Sequence, residues 1–99
     1  MLAELYAGSL ADAATRRELV SIDVIEKSAL AKEPSLEALK FLAPSSNVKI
    51  LAEVKRASPS RGQLAEIPDP AALAKIYSDN GASAISVLTE ERKFKGSLS

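Results

Sequence analysis

Residues 50–60 read ILAEVKRASPS, and this stretch decides the fold. A short apolar run rich in strand-forming residues carries a glutamate, ends on a lysine and leads into a polar loop. Because side chains alternate along a strand, one face is wholly apolar and suits packing under helices, whereas the other turns charged at the strand's end. The apolar face carries Ile50, Ala52 and Val54, and the other carries Leu51, Glu53 and Lys55. Charged groups at the carboxyl end of a strand are where α/β barrels place catalytic residues.

The segments that follow predict a β-α-β unit. A helix is predicted over residues 71–79, because Asp69 is a good N-cap and Pro70 favours the first helical position. An Asn-Gly pair comes next and predicts a left-handed cap. A second strand is predicted over residues 82–88, a near-continuous apolar run typical of parallel strands covered by helices. With the first strand at 48–54, the spacing is that of a β-α-β crossover.

The segment before the first strand predicts helices. Their predicted ranges are 2–19, 22–32 and 36–42. Ser21 and Ser35 are the expected N-caps of the second and third helices. We therefore divide the chain into an N-terminal helical extension, residues 1–46, and a first β-α-β unit, residues 47–99.

The composition excludes several classes of chemistry. The chain has no cysteine and no histidine, which rules out disulfides, thiol nucleophiles, imidazole catalysis and zinc sites of the Cys/His type. Thirteen basic residues balance thirteen acidic ones, which argues against a nucleic-acid partner. No apolar run approaches the ~20 residues of a membrane span. The first residues also lack the basic region of a signal peptide. We therefore expect no membrane partner and a cytoplasmic location.

Two stretches resemble a known family. ILAEVKRASPSRG at residues 50–62 and GASAISVLTEERKFKGSLS at 81–99 are similar to the amino-terminal part of indole-3-glycerol phosphate synthase. The resemblance extends more loosely over residues 1–46. It implies an α/β fold, the opening part of a TIM (β/α)8 barrel, with a helical extension before the first strand. Such a barrel takes about 250 residues, so we expect these 99 residues to hold only its first units.

The resemblance also implies a reaction. Members of this family are lyases of tryptophan biosynthesis, which is part of aromatic amino-acid biosynthesis. It converts 1-(2-carboxyphenylamino)-1-deoxyribulose 5-phosphate into indole-3-glycerol phosphate by ring closure, decarboxylation and dehydration. The expected partner is this small phosphorylated substrate, with no cofactor and no metal, and fusion to or association with other tryptophan-pathway enzymes is possible in the family. We expect the chain alone to be inactive, and to self-associate or to need the rest of the barrel.

Glu53 and Lys55 are the candidate catalytic residues. They lie roughly 6.6 Å apart along a strand, so both can reach one ligand. From the residues alone, the first interpretation of Lys55 is a surface lysine at a strand end, and Glu53 could be its structural ion-pair partner. The resemblance implies that Lys55 helps to hold and polarise the substrate and that Glu53 is an active-site carboxylate in its own right.

The resemblance adds three substrate-binding candidates. It implies that Ser58 provides a hydrogen-bonding group, that Pro59 forms an apolar wall and that Phe94 lies against the anthranilate ring. From the residues alone, Ser58 and Pro59 are better interpreted as ordinary loop residues, and Phe94 could equally pack on a following helix.

Four charged residues nearby receive simpler predictions. Arg56 and Arg61 either give their loop a positive field suited to a phosphate or carboxylate, or are solvated. Glu90 and Glu91 follow the second strand and are expected to be solvated loop carboxylates.

Two other functions stay open at this point. One is a different phosphate-binding TIM-barrel enzyme, against which the EVKRASPS string argues. The other is a non-enzymatic α/β module that assembles with copies of itself, because a two-stranded sheet has open edges and an uncovered face.

Overall fold

The computed structural model describes all 99 residues as four helices and four strands. The elements are α1 Leu2–Leu19, α2 Ile22–Leu30, α3 Ala38–Leu42, β1 Leu51–Val54, β2 Ala57–Ser58, β3 Gly62–Gln63, α4 Pro70–Asp79 and β4 Ala84–Val87. The chain divides into two compact units, Met1–Leu36 and Glu37–Ser99. This division falls ten residues before the predicted one at residue 46, because α3 contacts β4 and so belongs to the second unit.

The two serine caps predicted for the early helices have different outcomes. Ser21 is confirmed as the N-cap of α2, where its hydroxyl accepts a hydrogen bond from the Val24 N–H at 3.4 Å. The Ser35 prediction is wrong, because α3 begins only at Ala38 and has Glu37 at its N-cap position without a side-chain cap bond. An N-cap hydroxyl bonds donors in the first helical turn, and that turn lies too far along the chain from Ser35.

The β-α-β unit is built from local signals that the sequence carries. The Asp69 carboxylate accepts a hydrogen bond from the Ala72 N–H at 2.9 Å and caps α4, which starts at Pro70. At the other end, Gly81 has φ +98 and donates to the Ser78 carbonyl, while Ala82 donates to the Tyr77 carbonyl. This pair of bonds is the Schellman arrangement, in which glycine supplies the left-handed residue. The predicted left-handed cap is therefore confirmed.

Strands β1 and β4 form a parallel pair. Their register runs from Leu51 opposite Ala84 to Val54 opposite Val87. Each strand has four residues rather than the predicted seven, because the paired register covers only Leu51–Val54 and Ala84–Val87. Helix α4 contacts both strands.

The predicted alternation of faces is confirmed over Leu51–Val54, whereas Ile50, predicted on the packed face, lies before β1 and is 53% exposed. Val54 is only 2% exposed, and Ala52 on the same face is half-buried. On the opposite face Leu51 remains 63% exposed, and Glu53 follows it on that face. The sheet thus has one face that is covered around Val54, although its register partner Val87 is 47% exposed, and one open face to which the charged residues belong.

A small antiparallel hairpin lies between β1 and α4. Strands β2 and β3 pair Ala57 with Gln63 and Ser58 with Gly62, and Ala57 is 1% exposed. Gly62 has φ +65, a conformation that suits the end of a short hairpin turn and that glycine adopts without strain. The hairpin was not predicted, because strands of two residues are too short to show an alternating pattern. None of the four helices combines the length and apolar character that crossing a membrane would require.

Candidate active site

Two loops leave the sheet at the carboxyl ends of its two strands, and we call this end of the sheet the carboxyl edge. Because β1 and β4 are parallel, their carboxyl ends lie together, and the Leu88 N–H donates to the Val54 carbonyl at 3.1 Å. We call residues 55–68 the β1 loop and residues 88–96 the β4 loop. The candidate residues that follow the strands, from Lys55 onward, belong to these loops, and open α/β sheets bind ligands at this edge.

Glu53 and Lys55 form an ion pair at the end of β1. The Lys55 Nζ lies 2.6 Å from Glu53 Oε1, and the two side chains are 34% and 42% exposed, respectively. An ion pair this exposed adds at most about 1 kcal/mol to stability. The pair is therefore not needed to hold the fold. An ammonium has three donors, so the one that Glu53 accepts leaves two for a ligand.

Ser58 and Pro59 lie at the tip of the β2–β3 hairpin. Both are half-buried, and the Ser58 hydroxyl accepts a hydrogen bond from the Arg61 N–H at 3.3 Å. The hydroxyl proton of Ser58 remains available to another acceptor. The hairpin therefore gives both residues a fixed position beyond the end of β1, and their contact with substrate stays a prediction.

Arg56 holds the base of the β1 loop. Its guanidinium Nε and Nη2 donate to the Ile67 carbonyl at 3.1 and 2.7 Å, across eleven residues of chain. Its own carbonyl accepts from the N–H groups of Leu64 and Ala65. Arg56 is thus occupied in closing the loop, whereas Arg61 is exposed at the hairpin turn.

Glu90 shapes the β4 loop. Its carboxylate accepts three backbone hydrogen bonds, from the N–H groups of Arg92 at 3.1 Å, Lys93 at 2.7 Å and Phe94 at 3.1 Å. The prediction that Glu90 is a solvated carboxylate is wrong, because the following residues fold back over it. Glu91 is exposed, as predicted.

Phe94 and Lys95 occupy the far side of the β4 loop. Phe94 is half-buried. Lys95 has φ +54, an unusual conformation for a residue with a side chain, and its Nζ donates to Gln63 Oε1 at 2.9 Å. This bond joins the two loops. No local sequence pattern predicts this bond, since the two residues are thirty-two positions apart.

The arrangement suits an anionic organic ligand. The described side chains include no group of three or more His, Cys, Asp or Glu residues positioned to hold a metal ion. What the edge offers is an ammonium, a carboxylate, a hydroxyl and a half-buried aromatic ring. These groups can bind negative charge, transfer protons and cover an apolar ring. Fold and edge together define an α/β protein with a candidate active site beyond the carboxyl ends of its parallel strands.

Comparison with known proteins identifies the family. The family described as "Indole-3-glycerol phosphate synthase" matches residues 2–99. Proteins named indole-3-glycerol phosphate synthase from Leifsonia xyli subsp. xyli and Mycolicibacterium smegmatis are 63% and 49% identical over 98 residues, which is 99% of this chain. A third, from Kineococcus radiotolerans, is 47% identical over 102 residues. The chain belongs to the indole-3-glycerol phosphate synthase family, which confirms the resemblance.

The match has a defined extent. The chain spans between 36% and 38% of the length of these curated relatives. It therefore corresponds to a little over a third of a family member, and the chemistry of a whole member is a matter for proposal.

Proposed function

We propose that these residues form part of an indole-3-glycerol phosphate synthase and contribute the first two strands of its TIM barrel. The observation that carries the proposal is the Glu53–Lys55 pair, 2.6 Å apart and half-exposed at the carboxyl edge of β1. Active sites of these barrels lie at the carboxyl ends of the strands. Family membership over residues 2–99 supports the same reaction. A cytoplasmic location is part of the proposal.

The reaction defines what the site must do. The substrate carries a phosphate, a carboxylate on its aromatic ring and a ketone. The ring carbon that bears the carboxylate attacks the ketone carbon, and the ketone oxygen takes up a proton. The new bond is kept while carbon dioxide leaves, and the hydroxyl then leaves with a proton as water. Each step moves a proton or a negative charge, so lysines and carboxylates suffice for the acid–base work.

Lys55 has the properties needed to hold the substrate's negative charge. Its compact ammonium keeps two donors free of Glu53 and is one-third exposed at the open edge. An oxyanion of the substrate gains a charge-assisted hydrogen bond there, which is stronger than a neutral one. Glu53 holds the ammonium in place before the substrate arrives. Once the substrate competes for Lys55, the Glu53 carboxylate is available to accept a proton.

The two loops supply the rest of the pocket in this proposal. Ser58 offers a hydroxyl and Pro59 an apolar surface from the hairpin of the β1 loop. Phe94 presents its ring from the β4 loop and covers the anthranilate ring of the substrate. The Lys95–Gln63 hydrogen bond supports this arrangement, because it holds the two loops near each other.

A chimera tests the proposal. The 98 matched residues of the Leifsonia xyli protein are replaced by those of this chain, so that the whole length of a relative is present. We call this protein the Leifsonia chimera. Incubation with the carboxyphenylamino substrate should give the fluorescence of the indole product, at a rate within about tenfold of the parent protein because the exchanged segments share most residues. A chimera that folds yet forms no product, beside an active parent, would contradict the proposal.

A further inference from the structure

The Glu90 carboxylate organises the whole β4 loop. It accepts hydrogen bonds from three consecutive backbone N–H groups, those of Arg92, Lys93 and Phe94, at 2.7–3.1 Å. Successive N–H groups that point at one anion form a stable concave site, and bonds to a charged acceptor are stronger than neutral ones. The loop therefore takes its shape from a side chain at its own beginning.

The same residue also closes the far end of the loop. The Glu90 carbonyl accepts a hydrogen bond from the Gly96 N–H at 2.9 Å. Gly96 rests directly on the backbone of Leu88 and Thr89, where a Cβ would collide with the Leu88 carbonyl oxygen and the Thr89 Cα. Backbone and side chain of Glu90 thus hold both sides of the turn that presents Phe94.

Phe94 is attached to this framework directly. Its N–H donates to Glu90 Oε2, the oxygen that also accepts from Lys93. Phe94 is half-buried, and the next residue, Lys95, adopts φ +54. Loss of the carboxylate would leave the N–H of Phe94 without its hydrogen bond. The backbone at Phe94 would then no longer hold the ring in one position.

We propose that Glu90 is a positioning residue that acts through Phe94: it fixes the aromatic ring against which the substrate binds. The proposal rests on the role given to Phe94 under the proposed function. Glu90 itself is occupied by the loop backbone, so it is assigned no proton transfer and no contact with substrate.

A double-mutant cycle in the Leifsonia chimera tests this assignment. Glu90→Ala and Phe94→Ala are each expected to lower kcat/KM by about tenfold, mainly through a higher KM, because each removes the same ring contact. In the Phe94→Ala background, Glu90→Ala should add less than about twofold, since residues that act through one contact are not additive. Glu90→Gln keeps one acceptor oxygen and should restore part of the loss. Glu91→Ala, which removes the neighbouring exposed carboxylate, is the matched control and should match the unmodified chimera.

The outcomes separate the two proposals. If Phe94→Ala leaves KM unchanged, the ring does not bind substrate and the proposed role of Phe94 fails. If Phe94→Ala weakens binding but Glu90→Ala multiplies that effect fully, Glu90 does not act through the ring and the positioning role is overturned. Thermal melts of all variants show whether a loss of activity merely follows unfolding, which would also overturn it.

Discussion

The two loops at the edge of the sheet are held by side chains of opposite charge. In the β1 loop the Arg56 guanidinium donates to a backbone carbonyl, that of Ile67. In the β4 loop the Glu90 carboxylate accepts from three backbone N–H groups. The first bond joins the two ends of a long connection that contains its own hairpin, whereas the second set shapes a single tight turn.

This comparison separates the charged residues that bond the loop backbone from the one to which we assign the substrate. Arg56 and Glu90 satisfy the backbone of their own loops, because a loop without regular structure needs partners for its polar groups. Lys55, next to Arg56 in the chain, is paired only with Glu53 on the open face. Neighbouring charged residues thus divide into those that bond the loop backbone and those that, in the proposed function, bind the substrate.

Activity should be lost completely when the two loops are present without the remaining part, about two thirds, of a family member. We expect the 99-residue chain alone to show no synthase turnover, because two parallel strands cannot close a barrel. The unpaired edges and open face of the two-stranded sheet, where Leu51 is 63% exposed, should also lead to self-association or partial unfolding. Indole fluorescence and sedimentation over a range of concentrations measure both. Turnover by the chain alone, or a compact and cooperative monomer, would show that the two loops need no further support.

Removal of the ligand-facing charge should have the next largest effect. In the Leifsonia chimera, Lys55→Ala should lower kcat/KM by at least about a hundredfold, because the substrate loses its charge-assisted bonds. The melting temperature should hardly change, since an exposed ion pair adds little stability. Lys55→Arg should restore activity only in part, as a planar guanidinium does not replace a compact ammonium. Lys49→Ala removes an exposed lysine just before β1 and is the control. Near-normal kinetics in Lys55→Ala would contradict the proposed substrate contact and would mean that Lys55 is an ordinary surface lysine.

Removal of the loop-building charge should have a smaller effect. Arg56→Ala in the chimera breaks the bond to the Ile67 carbonyl, and we expect kcat/KM to fall by about tenfold together with a lower melting temperature. Arg61→Ala removes an exposed arginine of the same loop and should change kcat/KM by less than about twofold. Equal effects of the two substitutions would mean that both arginines act by their charge, and that the β1 loop does not depend on the Arg56 bond.

The sequence predicted the features that depend on neighbouring residues. Asp69, Pro70 and Gly81 mark the ends of α4 correctly, because capping involves residues only a few positions apart. The period of two along β1 placed Glu53 and Lys55 on one face, and the structure brings their charged atoms together.

The features that were missed depend on backbone conformation or on distant residues. Glu90 lies in a charged stretch typical of a solvated loop. Its role can be recognised only when the conformation of the turn that bonds to its carboxylate is known. Arg56 and Ile67 are eleven residues apart, and Gln63 and Lys95 are thirty-two apart, so no local pattern connects them. Residues on irregular loops come into contact because the parallel strands place both loops at the same end of the sheet. The spacing of these residues along the chain does not predict such contacts.

We propose that the substrate binds between the two loops, held by Lys55 and covered by Phe94. This binding mode can be observed in a crystal structure of the Leifsonia chimera with a substrate analogue whose ketone is reduced to an alcohol, so that the ring cannot close. We predict the Lys55 Nζ within about 3 Å of an anionic oxygen of the analogue, with the Phe94 ring against its aromatic ring. An analogue bound at another place, with Lys55 still bonded only to Glu53 and Phe94 out of contact, would contradict the claim.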